Sequence, residues 1–139
     1  WKGTESMSDE RFLVDTTVWV NFFRGGNDSL KDRMADLIAD DRVCMTEIVI
    51  FELLRVARSQ KEYNMLLKDF SALPALSLDA KAWQIAWETA FLCRQRGLNI
   101  PALDTLIASI AIRHGVTLMH SDRHYELLSR HTSLKTLAP

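Results

Sequence analysis

The stretch FLVDTTVWV at residues 12–20 decides how this chain folds. Phe12, Leu13 and Val14 form a short apolar run that stops at Asp15, and β-branched residues follow before a second apolar group begins. The short apolar run predicts a buried strand, and the residues after the carboxylate predict a helix. The segment therefore indicates a strand that ends at an acid and leads directly into a helix.

Short strands and helices alternate along the rest of the chain. Residues 43–46, 116–119 and 134–137 predict further strands, because each is a brief apolar or β-branched run. Apolar residues at helical spacing fill the segments between them, and Asp104 is expected to cap a helix that stops at Gly115. This alternation is typical of an α/β sandwich with a mostly parallel sheet.

The composition is that of one globular domain. The 139 residues are 47% hydrophobic and 25% charged, which excludes disordered, collagenous and disulfide-scaffold classes. No apolar stretch approaches the roughly 20 residues that span a bilayer, which excludes an integral membrane protein. We expect the domain to span residues 7–139, with Met7 as the natural first residue and residues 1–6 as a leader added for expression.

The cysteines and the net charge indicate the cellular compartment and limit how the protein could bind nucleic acid. Cys44 and Cys93 are far apart in apolar surroundings, which indicates reduced core thiols and, together with a polar N-terminus, a cytoplasmic protein. The net charge of −1 gives no overall attraction to nucleic acid, so such binding requires a local basic surface.

Four acids interrupt or adjoin apolar segments instead of lying on a solvated face. Asp15 and Asp122 follow predicted strands, Asp104 opens a helix, and Glu52 lies in the first turns of another. Because the ends of parallel strands and the starts of the next helices converge at one sheet edge, we expect these side chains to meet. Two carboxylates about 4 Å apart repel by about 4 kcal/mol at an effective dielectric of about 20, so a cation must offset them.

The chemistry of these side chains indicates which cation. Oxygen ligands without clustered His or Cys favour Mg²⁺ or Mn²⁺ over zinc or copper. Such an ion can polarise a phosphoryl oxygen and generate a hydroxide nucleophile, which is the chemistry of phosphodiester hydrolysis. Three of the acids also have a purely structural interpretation: Asp104 as a helix cap, Asp122 as a turn residue, and Glu52 in a salt bridge with Arg55 or Arg58. An acid placed like Asp15, after an apolar strand, is common in α/β proteins.

Four motifs, in this order, resemble the PIN-domain nucleases and in particular the VapC-like toxins of type II toxin–antitoxin pairs. They are FLVDTTVWV at 12–20, TEIVIFELLRV at 46–56, IPALDTLIASIAIRHG at 100–115 and LMHSDRHYELL at 118–128. The resemblance implies a three-layer α/β/α sandwich and an endoribonuclease that depends on Mg²⁺, for which Mn²⁺ can substitute. It also implies a cognate VapB-like antitoxin and a homodimer.

By motif position, the resemblance gives the catalytic and metal-binding roles to Asp15, Glu52, Asp104 and Asp122. Thr17 occupies the small-hydroxyl position after the first acid. An alternative within the same fold is a catalytically silent module that binds RNA or a protein partner, and the four intact acids argue against it.

Residues beside the acids are candidates for substrate binding. Thr17 and Ser121 offer hydroxyls, and Arg123 and His124 adjoin Asp122 and offer cations for phosphate. The family often has Thr two residues before its last Asp, where this chain has His120.

Two further features have open interpretations. Glu126 could assist a second metal ion or lie on a solvated helix face, and the second interpretation is favoured. Trp83, Trp87 and Phe91 recur at helical spacing and could line an antitoxin groove or a dimer contact. We favour the core for these three, because an aromatic stripe at helical spacing usually faces inward.

Overall fold

The computed structural model describes residues 10–139, so the expected leader and Met7 lie outside the described part of the chain. The strands are β1 Phe12–Val14, β2 Val43–Cys44, β3 Thr117–Met119 and β4 Thr136–Leu137. The helices are α1 Thr16–Arg24, α2 Asp28–Ala39, α3 Glu47–Leu54, α4 Gln60–Ser71, α5 Ala80–Arg96, α6 Ala102–His114 and α7 Arg123–His131. The alternation expected from the sequence is confirmed.

The four strands form one parallel sheet in the order β2-β1-β3-β4. Leu13 of β1 is in register with Cys44 on one side and with Leu118 on the other. All residues of β1 and β3 are buried, as expected for central strands covered on both faces. The predicted α/β fold with a mostly parallel sheet is therefore confirmed.

The expected cap of α6 is wrong. The helix begins at Ala102, with Pro101 as its N-cap, so Asp104 lies inside the first turn and no side chain caps the helix. Proline suits the start of a helix because its fixed φ is compatible with the entry and it has no N–H to satisfy. The carboxylate of Asp104 is consequently not used for capping.

The expected burial of the aromatic stripe on α5 is also wrong. Trp83, Trp87 and Phe91 are 40%, 66% and 64% exposed, whereas Ala82 and Ala86 on the same helix are buried. Helix α5 packs mainly on α6. The small side chains face the protein, and the aromatic residues form an exposed surface.

Two further expectations for the fold, buried free cysteines and a helix that ends at Gly115, are confirmed. Cys44 and Cys93 are buried and free. Gly115 ends α6 with a φ of 66°, in the left-handed region that glycine adopts without strain. Over residues 10–139, the helices are too short or too polar to cross a bilayer.

Candidate active site

The sheet topology brings two of the predicted acids together. From β1 the chain continues to β2 on one side of the sheet, whereas β3 continues to β4 on the other side. Ligands of open parallel sheets bind at the carboxyl ends of the strands where the order reverses. Asp15 follows β1 directly, and its N–H donates to the carbonyl oxygen of Met119 at the end of β3, at 3.0 Å. Asp122 follows shortly after β3, so both acids lie at this switch point.

Asp15 is buried, and both of its carboxylate oxygens accept hydrogen bonds. Its Oδ2 accepts from the N–H of Thr17 at 3.4 Å, which makes Asp15 the N-cap of α1. Its Oδ1 accepts from the hydroxyl of Tyr125 on α7 at 2.9 Å. Burial raises the pKa of Asp15. The hydrogen bonds from Tyr125 and Thr17, and a backbone hydrogen bond from Thr16, oppose this rise. The carboxylate is therefore fixed in a poorly solvated position.

Glu52 reaches the same place from α3. Its Oε1 accepts a hydrogen bond from the Thr16 hydroxyl at 2.7 Å, which joins α3 to the start of α1. The structural interpretation of Glu52 does not hold, because within residues 10–139 it forms no ion pair with Arg55 or Arg58. Thr16 supplies the hydroxyl that orients this acid, a contact that the sequence interpretation did not include.

Asp104 shows that the four acids share one electrostatic environment. Burial raises its pKa to about 6, and the negative charges of Asp15, Asp122 and Glu52 add to this rise, while His124 opposes it. Asp15, Asp122 and Glu52 therefore lie near enough for their charges to act on Asp104. That all four side chains meet around one ion stays a prediction.

Asp122 and His124 complete the cluster at the start of α7. The Oδ1 of Asp122 accepts from the backbone N–H of His124 at 2.9 Å, so Asp122 caps the helix. The imidazole Nδ1 of His124 lies 3.1 Å from Asp122 Oδ1 and 3.5 Å from Asp104 Oδ2. One potential ligand atom from each of these three residues lies within 4.8 Å of the others.

The other candidate substrate residues lie around the cluster. The side chains of Thr17 and Ser121 are exposed, and Thr17 contacts Asp15 through its backbone N–H. Arg123 is exposed and lines a surface cavity together with Arg130. Their roles toward a substrate stay predictions.

Besides Thr16, two supporting residues, His120 and Tyr125, have no role in the sequence interpretation. His120 is buried, and its Nδ1 accepts from the N–H of Asp122 at 3.0 Å. Because a backbone N–H can only donate, Nε2 carries the ring hydrogen and donates it to Glu126 Oε1 at 3.0 Å. Glu126 also accepts from the Thr136 hydroxyl at 3.1 Å, so it holds His120 against β4. Tyr125, fully buried against Asp15, is the second supporting residue, and no local pattern marks it.

Fold and site together define a small α/β domain with clustered carboxylates at the switch point of a parallel sheet. The family model of the PIN domain matches residues 12–130, and the chain belongs to the PIN domain family.

Among curated relatives, ribonuclease VapC11 of Mycobacterium tuberculosis is 29% identical over 127 residues, which cover 88% of this chain and 95% of that protein. Ribonuclease VapC3 of Methanocaldococcus jannaschii is 35% identical over 99 residues, which cover 70% of this chain and 95% of that protein. Both similarities extend over nearly the whole of the related protein.

Solved structures of similar fold include VapBC2 from Rickettsia felis bound to a DNA fragment from its promoter. The TM-score is 0.77 at 23% identity, over 92% of this chain and 98% of that chain. DNA-bound VapBC from Salmonella typhimurium gives a TM-score of 0.79 at 19% identity, over 93% of this chain and 98% of that chain. These similarities show that the fold is the one expected from the resemblance.

Proposed function

We propose that this chain is a divalent-metal-dependent endoribonuclease that acts as the toxin of a type II toxin–antitoxin pair. The observation that carries the proposal is the group of carboxylates around Asp104: Asp122 offers an oxygen within 4.8 Å, and the charges of Asp15, Glu52 and Asp122 help to raise the pKa of Asp104. Like charges held near one another and partly removed from water are costly without a cation. Acids with perturbed pKa values are typical of functional sites.

The donor set fits a hard divalent cation. Asp15, Glu52, Asp104 and Asp122 offer carboxylate oxygens, which Mg²⁺ prefers and Mn²⁺ also accepts. When bound, such an ion stabilises charge on a phosphoryl oxygen and lowers the pKa of water. The protein's part is to hold the acids in place, through Thr16 on Glu52 and Tyr125 on Asp15.

RNA is the proposed substrate, because curated relatives over most of the chain are named ribonucleases. Arg123, exposed beside Asp122, is proposed to contact phosphate, with Thr17, Ser121 and His124 nearby. A VapB-like antitoxin is the proposed partner, because the similar structures are VapBC complexes. A homodimer and a cytoplasmic location complete the proposal.

The proposal is tested by incubating metal-free protein with end-labelled cellular RNA in the presence of Mn²⁺ or EDTA. We expect defined fragments with Mn²⁺ and none with EDTA. Glu52→Gln is expected to lower the cleavage rate by at least about tenfold, since it removes a negatively charged oxygen ligand for the metal ion. Glu88→Gln, which changes an exposed acid on α5, serves as the matched control.

Two results would count against this function. Cleavage that is equal in EDTA, or equal in the Glu52 variant, would indicate a contaminating nuclease. RNA that is bound but not cut under any metal condition would favour the silent binding module instead.

A further inference from the structure

We infer that His124 donates its Nδ1 as a nitrogen ligand to the divalent cation held by Asp104 and Asp122. The inference rests on the proposed function, because it concerns the same metal site. As a consequence, the site would prefer Mn²⁺ over Mg²⁺. An imidazole nitrogen among oxygen ligands raises the affinity for Mn²⁺ and similar transition ions without raising the affinity for Mg²⁺. The sequence interpretation expected His124 to contact phosphate.

His124 lies at the distance of a neighbouring ligand from each of the two carboxylates. His124 Nδ1 is 3.1 Å from Asp122 Oδ1 and 3.5 Å from Asp104 Oδ2. Adjacent ligands of an octahedral ion with bonds of about 2.1 Å lie about 3 Å apart. The three atoms therefore occupy positions that a single cation could bridge with little movement of the side chains.

The Nδ1 atom of His124 is a buried polar atom without a hydrogen-bond partner in residues 10–139. The atom itself is buried, although the side chain is 26% exposed, and within the described part of the chain it forms no hydrogen bond despite lying 3.1 Å from Asp122 Oδ1. A buried polar atom without a partner destabilises the folded state. A cation between this nitrogen and the two carboxylates would satisfy all three groups.

A backbone hydrogen bond places His124 next to Asp122. The N–H of His124 donates to Asp122 Oδ1 at 2.9 Å, so the same acid that approaches the ring also caps the helix that carries it. His120 cannot take the ligand role as it stands, since its Nδ1 accepts from Asp122 N–H and its Nε2 donates to Glu126. The exposed Arg123 remains available for phosphate.

The direct test is electron spin-echo envelope modulation on the Mn²⁺-loaded full chain. We expect modulation from one directly coordinated ¹⁴N in the wild type and its loss in His124→Ala. The variant should still bind Mn²⁺ through its acids, with an affinity at least about tenfold weaker, as even outer-shell partners contribute that much. Its affinity for Mg²⁺ should change little. His131→Ala, on the same helix, should behave like the wild type.

The outcomes separate this inference from the proposed function. Bound Mn²⁺ without ¹⁴N modulation in the wild type, or with unchanged modulation in His124→Ala, would overturn the inference and leave the carboxylate site intact. If the wild type binds no Mn²⁺ at all, the proposed metal site fails, and the inference fails with it.

Discussion

Asp104→Asn is expected to lower the rate of metal-dependent RNA cleavage by at least about a hundredfold, the effect of losing several kcal/mol of metal-based stabilisation. Asp104 is the residue on which the charges of Asp15, Glu52 and Asp122 converge. Asparagine has nearly the same shape but no charge, so it tests the electrostatic role alone. The measurement is the initial rate of cleavage at saturating Mn²⁺.

A matched control separates this role from general effects of lost charge. Asp69→Asn changes an exposed acid near the end of α4 and should leave the cleavage rate unchanged. A rate for Asp104→Asn close to that of the Asp69 variant would show that Asp104 does not act in the reaction.

The metal-free protein is expected to lose about 1–3 kcal/mol of unfolding free energy between pH 4 and pH 7 through Asp104. The pKa of this acid is about 6 in the folded state and about 4 in the unfolded chain. Between these values the folded state binds more protons than the unfolded state, so stability falls as the pH rises. The raised pKa of Asp15 acts in the same direction.

Urea denaturation of the metal-free wild type and Asp104→Asn across this pH range checks the expectation. The variant should match the wild type near pH 4 and exceed it in stability near pH 7.5. Asp104 would thus be an acid that the fold tolerates at a cost. Denaturation midpoints that differ by the same amount at every pH would refute the coupling of Asp104 to its neighbours.

The sequence predicts the positions of two acids from a general property of parallel sheets, and that of a third from its apolar neighbours. Asp15 and Asp122 were predicted because they follow strands, and β1 and β3 prove to be adjacent at the switch point. Glu52 is predicted because burying a carboxylate among apolar residues is costly unless it has a functional or structural partner. These arguments depend on local sequence and on one rule of topology, so they did not require knowledge of side-chain contacts.

The supporting contacts could not be predicted in this way. Tyr125 and Asp15 are 110 residues apart in sequence, and nothing in either segment specifies that their side chains meet. The Thr16 contact with Glu52 depends on how two helices cross, and neighbouring Thr17 is an equal candidate in the sequence. Such pairs are set by tertiary packing alone.

The exposed stripe on α5 illustrates a limit of helical periodicity. Trp83 and Trp87 share a spacing with Ala82 and Ala86, so the pattern defines two adjacent stripes without deciding which faces inward. Close packing of α5 on α6 selects the small residues, because they allow a nearer approach. Hydrophobicity alone favoured the wrong stripe.

The central claim is that the four acids converge on one place because a divalent cation binds there. Calorimetric titration of Mn²⁺ into metal-free wild type, Asp104→Asn and Asp69→Asn near pH 7.5 tests it most directly. We predict saturable binding to the wild type and the Asp69 variant, and affinity weakened by at least about tenfold in Asp104→Asn. Identical isotherms for all three proteins, or no binding to the wild type, would contradict the claim.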